Sequence, residues 1–351
     1  MTSPDRRTDA PDALRPDRAV GRFALVALGI PAVLTAAAVA LQLAALPDLP
    51  DRIATHWGAS GAADRFAAAW TMPVLTAAIG LGLPALLSLF ALPGLTRGSR
   101  GPSYRLLGAV ASGLSALIAV LATGSTLLQR GLTDAQDAPA IWLPLIAGFA
   151  AGAAVGVAGW FLQPAEPTPA PTALAAEPLT VGSTERAVWT SETAIAPLGG
   201  ALLGIAVLGL GVASTCVWIF AADAAVAWLL TAVTALLALL AATTLVFRVR
   251  ADATGLTVSS AVGLPRFHLP LAEIGSVRGV SVDPMGEFGG WGMRLAPGRR
   301  FGVVLRRGPA IEVERTDGRR FVVTAPDAAT GAALLRALGD RGRTAPDGRR
   351  R

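Results

Sequence analysis

Histidine, cysteine and lysine usage limits the chemistry open to this chain before any fold is considered. Its 351 residues hold two histidines, His56 and His268, one cysteine, Cys216, and 30 basic residues that are all arginine. Without lysine there is no phosphate-loop lysine, kinase strand lysine or Schiff base. Two histidines far apart in sequence do not make a zinc-peptidase helix, and one cysteine makes neither an intrachain disulfide nor a thiolate zinc site. Reactive side chains gather instead at residues 47–69, PDLPDRIATHWGASGAADRFAAA, which bring His56, Trp57, Asp64, Arg65 and Phe66 close together. Such a set can serve as a proton-sensitive switch, a weak metal site or a peptide-docking surface. One histidine with scattered aspartates falls short of a ligand set, so the residues alone point first to a His56–Asp64 hydrogen bond that holds the loop.

A second candidate is GEFGGWGMRLAPGRR, whose glycines invite a nucleotide reading. The spacing fits neither a dinucleotide fingerprint nor a phosphate loop, and no helix start follows. Phe288, Trp291, Arg294, Arg299 and Arg300 on a flexible glycine loop suit contact with a membrane surface instead, where each basic residue contributes ~1 kcal/mol on anionic lipid. No catalytic residue, cofactor or metal is expected.

These segments must be positioned by elements of an unusual composition. Apolar residues make up 53% and charged residues 15% of the chain, and mean hydropathy is +0.55. Soluble domains carry ~25% charged residues, so a plain cytosolic enzyme and a disordered chain are both excluded. Six charge-free runs, at 23–46, 70–92, 106–129, 141–162, 194–222 and 224–247, are each long enough to cross ~30 Å of hydrocarbon. Only Asp223 and its flanking alanines part the last two, which reads as a helical hairpin. The first run exceeds the ~7 to 15 apolar residues of a secretory signal and is expected to stay as a span. Arg6, Arg7, Arg15, Arg18 and Arg22 precede it, and Arg97, Arg100 and Arg105 follow the second run. By the positive-inside rule these segments face the cytoplasm, which places both termini there and the 47–69 loop outside, in a plasma membrane.

Within that loop Pro47 and Pro50 stop the preceding helix, while Gly58 and Gly61 permit a tight reversal, so an ordered loop is expected. The succession Leu49-Pro50, Ile53, His56-Trp57, Gly61, Asp64 and Phe66 between two spans resembles the membrane family called domain of unknown function 1648. The likeness extends over about residues 23–162. That domain also opens the immunity and signalling proteins of the sporulation-delaying toxin system, which implies a sensing, regulatory or toxin-immunity role and a peptide ligand outside the cell.

The remainder divides into a cytosolic tail at 1–22, a proline-rich linker at 163–183, a mixed domain formed by 184–193 with 251–338, a membrane hairpin at 194–247 and a basic tail at 339–351. Strands are expected at 256–260, 267–269, 274–282, 301–306, 310–315 and 319–324, with Asp317-Gly318 as a hairpin turn and a helix after Pro326. The strand at ERAVW, the two-span hairpin and GLTVSSAVGLPRFHLPLAEIGSV resemble bacterial membrane proteins with a pleckstrin-homology-like domain interrupted by a hairpin. The fold class is therefore six transmembrane helices with a small cytosolic pleckstrin-homology-like barrel, and the likeness implies an interaction module. Eighteen arginines from Arg248 onward match anionic headgroups, and no nucleic-acid motif accompanies them. No intramembrane protease motif or charged conduit is visible in the spans. The expected protein is non-enzymatic, with the lipid bilayer and a second protein as partners. A small-molecule or peptide transporter is the second reading, and an envelope enzyme using His56 and Asp64 as acid and base the third.

Overall fold

The computed structural model describes residues 18–58, 60–167, 170–175, 179–180, 182, 185–220 and 224–344. Asp223, the arginines before residue 18 and Arg349, Arg350 and Arg351 lie outside them. The chain forms two compact units that divide after Pro167.

Among the described residues six helical segments are long and apolar enough to cross a membrane, which makes this a multi-pass membrane protein. The first combines α1 (Arg18–Ala24), a π turn at Leu25–Gly29 and α2 (Ile30–Ala45). Pro31 lacks the N–H that a regular helix would use, and the backbone widens in the turn that precedes it. It is followed in the first unit by α3 (Thr71–Thr96), α4 (Pro102–Leu127) and α5 (Trp142–Leu162). Lipid tails are as apolar as leucine, so helices in this setting must be held by close backbone approach and hydrogen bonds. Both are present. A Cβ on Gly113 would stand 2.8 Å from the Gly152 carbonyl oxygen, and one on Gly152 2.9 Å from that of Gly113. Gln42 donates from Nε2 to the hydroxyls of Thr76 (3.0 Å) and Thr123 (3.1 Å), which joins α2, α3 and α4 in the bundle interior. Thr35 and Ser115 meet at 3.2 Å between α2 and α4.

Strands β1 (Arg52–Trp57) and β2 (Ala63–Ala68) form an antiparallel hairpin between α2 and α3. The expected ordered loop is therefore a β-hairpin.

The described residues of the second unit form two sheets. One is the antiparallel meander β4 (Trp189–Ala194), β5 (Val246–Asp252), β6 (Gly255–Ser260) and β7 (Arg266–Pro270). The other contains β3 (Thr172–Ala173), β8 (Ile274–Val282), β9 (Gly292–Ala296), β10 (Arg300–Val304), β11 (Gly308–Arg315) and β12 (Arg320–Thr324), ordered β3-β8-β11-β12-β10-β9. Inward positions alternate along the strands, as the pleat requires. Phe247, Val249, Leu256 and Val258 of the first sheet share one core with Val303, Ile311, Phe321 and Val323 of the second. The terminal helix α9 (Ala328–Thr344) closes that core with Ala332, Leu335 and Leu338. Between β8 and β9 lies the short helix α8 (Pro284–Phe288).

Helices α6 (Pro197–Phe220) and α7 (Ala224–Thr244) leave the meander between β4 and β5. These strands pair from Trp189 opposite Ala251 to Ala194 opposite Val246, and Ile195 N–H extends the ladder to the Leu245 carbonyl at 2.8 Å. The sheet thus reaches the roots of the helical hairpin. Residues 246–250 belong to β5, although Val246 and Phe247 look like the end of an apolar run: Phe247 and Val249 face the core while Arg248 and Arg250 face out.

Candidate functional site

The β1–β2 hairpin sits where α2 ends and α3 begins, and it is fastened to the helix ends beneath it. Ile53 and Ala54 are fully buried. The side-chain amide of Gln129, just past α4, meets both backbone groups of Ala54: Oε1 accepts from its N–H at 2.6 Å and Nε2 donates to its carbonyl at 3.1 Å. Gln129 also donates to the Ser125 carbonyl at 3.0 Å and is itself fully buried. The amide thus does what a third strand would do, satisfying groups that are costly to bury unpaired. Trp57 Nε1–H donates to the Pro139 carbonyl at 3.0 Å in the α4–α5 connection. Arg130 pairs with Asp48, and Gly131 N–H reaches the Asp48 carbonyl at 2.8 Å.

The hairpin turn is built for contact. Gly61 has φ +80° and lies against the Trp142 indole at the start of α5, where a Cβ would stand 2.5 Å from Nε1. Only glycine meets both demands. Irregular register on both sides of His56 places it opposite Arg65. His56 Nδ1 and Asp64 Oδ1 are 2.6 Å apart, with the two side chains 54% and 48% exposed. Asp64 orients the imidazole, and Nε2 has no hydrogen-bond partner among the described residues. Arg65 is exposed, whereas Trp57 and Phe66 are half-buried, Phe66 opposite Ala54. The five sequence-derived residues therefore share one hairpin, with an oriented imidazole, an exposed guanidinium and two half-buried rings. Beside it, a cleft of about 650 Å³ is bordered by Asp48, Asp51, Arg52, Phe66 and Asp134. Among the described residues no group of three His, Cys, Asp or Glu side chains could hold a metal ion. What the arrangement offers is one hydrogen-bonding ring nitrogen, a guanidinium and acidic groups beside the Trp57 and Phe66 rings.

Sequence reasoning missed Gln129 and the Gly61–Trp142 contact. Gln129 appears only as the polar end of an apolar run, and its partner is 75 residues away. Gln42 is the comparable signal within the first run.

Residues 33–81 match the family model described as Domain of unknown function (DUF1648). The match centres on the hairpin and takes in the helix turns on either side. No curated protein and no solved structure matches the chain.

Two of the five residues in the second sequence-derived set are interior, which removes them from the expected membrane-contacting loop, while Trp291 is half-buried. Phe288 and Arg300 are buried. Arg300 donates to Glu287 Oε2 at 2.9 Å, lies 3.2 Å from Glu312 Oε2 in ion-pair contact, and stands 4.7 Å over the Phe288 ring. Arg278 pairs with Glu312 from the exposed side. Of the expected flexible loop at 286–300, the first three residues end helix α8 and Gly292–Ala296 form β9; α8 is capped by Asp283 Oδ1, which accepts from the N–H groups of Met285 and Gly286. Glu287 Oε1 answers by accepting from Asp283 N–H at 2.8 Å. Burial pushes the Glu287 carboxyl up from its usual range, outweighing the Asp283 amide and the Arg300 charge that pull it down. Arg299 is exposed with φ +58°, on the β9–β10 turn. It stands six residues, about 20 Å of extended chain, from Leu305, which accepts from Ala196 N–H at the root of α6. The turn is thus at the end of the sheet away from the helices. Arg294 is exposed and donates to the Trp291 carbonyl at 3.0 Å.

Proposed function

We propose that this chain is a non-enzymatic sensing or immunity-type protein of the plasma membrane. In this reading the β1–β2 hairpin binds a peptide outside the cell, and the sheet domain engages a protein partner inside, with both termini cytoplasmic. The observation that carries it is the Gln129 clamp. A hairpin whose buried strand is hydrogen-bonded by a helix-end side chain presents His56, Arg65 and Phe66 on a rigid base, and ligand binding there is felt directly at the ends of α4 and α5. Rigid support of surface-presented side chains is how scaffolds build recognition sites.

The second unit supports an interaction role. A four-stranded meander, the β8-β11-β12 meander and a closing helix follow the order of a pleckstrin-homology-like domain, with β9–β10 as an addition and the helical hairpin between the first two strands. Arg97, Arg100 and Arg105 at the α3–α4 connection support the cytoplasmic side for that end.

The test is survival of a deletion strain under envelope-active peptides. It is complemented by wild type, by His56→Ala with Asp64→Ala, and by a chain ending after Phe247, with the membrane level of each verified. Protection by wild type alone is the expected result. A deletion strain as resistant as its parent, or full protection by the doubly substituted hairpin, contradicts the reading.

A further inference from the structure

The outward face of the four-stranded meander carries two aligned polar rows. Glu192, Arg248, Ser259 and Arg266 stand side by side across the four strands, and Thr190, Arg250, Thr257 and His268 form the next row. All of these but His268 border an open concavity of about 640 Å³. Arg248 pairs with Glu192 at 3.0 Å and Arg250 with Asp252 at 2.7 Å. Arg266 has no ion-pair or hydrogen-bond partner among the described residues.

Where this face lies is set by covalent connection. Strand β5 begins two residues after α7, and β6 ends opposite its start, with Ser260 paired to Phe247. The β6–β7 turn, residues 261–265, is held there: Ala261 N–H donates to the Val246 carbonyl at 2.9 Å. At its tip Val262 is 61% and Leu264 72% exposed. An apolar tip beside the root of a spanning helix, flanked by cations, has the composition of segments that lie in the headgroup region, with apolar groups at the acyl boundary and cations among the phosphates.

We propose that Val262 and Leu264 insert into the leaflet from which α6 and α7 emerge. Arg266, with Arg248 two strands away across Ser259, binds the phosphate of an anionic phospholipid in that leaflet. This contact replaces the one expected of the 287–300 segment, and it is independent of what the hairpin binds.

The test uses the full chain with Cys216→Ala, carrying either Leu264→Cys or, at the far end of β11, Thr316→Cys, labelled with a fluorophore. Each is reconstituted in vesicles of phosphatidylcholine and phosphatidylglycerol containing lipid spin-labelled near the headgroup. Quenching at position 264 and not at 316 is expected; equal quenching, or none at 264, overturns the insertion. Retention of phosphatidylglycerol over phosphatidylcholine, read by native mass spectrometry, is expected to fall about five-fold in Arg266→Gln, the worth of one cation near the surface. It is expected to rise in Glu192→Gln, which frees Arg248. Unchanged preference in both variants, or displacement of the lipid by inorganic phosphate, overturns the lipid-phosphate site.

Discussion

Segments 56–66 and 287–300 contain nearly the same ingredients: aromatic rings, glycines with positive φ, acidic residues and arginines. The molecule uses them in opposite ways. Next to the first, Ile53 and Ala54 are buried, with Gln129 supplying the pairing that Ala54 needs, while the His56 and Asp64 side chains are half-exposed. In the second, Glu287, Phe288 and one arginine are buried: Arg300 is 6% exposed between Glu287, Glu312 and the Phe288 ring, and α8 is held by reciprocal Asp283–Glu287 bonds. What separates an exposed set of side chains from a structural ion cluster is thus not composition but what stands opposite. A strand over helix ends leaves its tips in solvent, whereas a helical turn against β10 does not.

That contrast can be broken from either side. The largest effect is expected from Arg300→Ala, which leaves Glu287 and Glu312 buried without their shared cation and should cost the sheet domain about 3–5 kcal/mol, read as a drop in thermal unfolding midpoint of the detergent-solubilised protein. Gln129→Leu should detach the hairpin at a cost of about 2–3 kcal/mol, since it orphans the buried Ala54 N–H and carbonyl. Limited proteolysis within residues 49–69 is the readout, with the sheet domain unaffected. His56→Ala is expected to shift stability by under about 1 kcal/mol, because the Asp64 pair is half-exposed, while peptide protection is lost. An equal loss of stability would make the pair structural.

The smallest effect is a pH dependence of opposite sign at two carboxyls of the second unit. Glu287 has its pKa raised by burial, so the folded state binds its proton more tightly than the unfolded one. Its contribution falls as pH rises from the ordinary carboxylate value near 4.5 through the raised folded value. Asp252 has its pKa lowered, by its Thr254 hydrogen bonds first and by Arg250. The stability it adds is present above 3.8 and is lost as pH falls through the lower folded value. Unfolding midpoints of Glu287→Gln and Asp252→Asn measured against pH should flatten the corresponding slope in each case.

Much of this was legible in the residues. The six apolar runs are spanning helices because length and absence of charge suffice to identify them. Asp317-Gly318 makes its hairpin turn because Gly318 adopts φ +77°, which turn chemistry demands. The start of β5 was hidden because Val246 and Phe247 continue an apolar run and reveal a strand only through pairing with β4 and β6. Strand β9 is a five-residue edge strand whose exposed Leu295 breaks the expected alternation. At the candidate site His56 and Asp64 were legible as hydrogen-bonded neighbours in an ordered loop, though not as parts of two paired strands. Gln129 was not, since an amide that replaces a strand leaves no periodic trace and its partner is remote in sequence. The burial of Arg300 was equally hidden, because Glu287 and Glu312 reach it from separate elements.

Amide hydrogen exchange at Ala54 in the membrane-reconstituted protein tests the central claim most directly. A hairpin that is a fixed part of the bundle predicts slow exchange at Ala54, comparable with the paired strands of the sheet domain, and fast exchange once Gln129 is leucine. Ala54 exchanging in the wild-type protein as quickly as an unpaired loop amide would contradict the account, for the hairpin would then be a tether with no mechanical link to the helices beneath it.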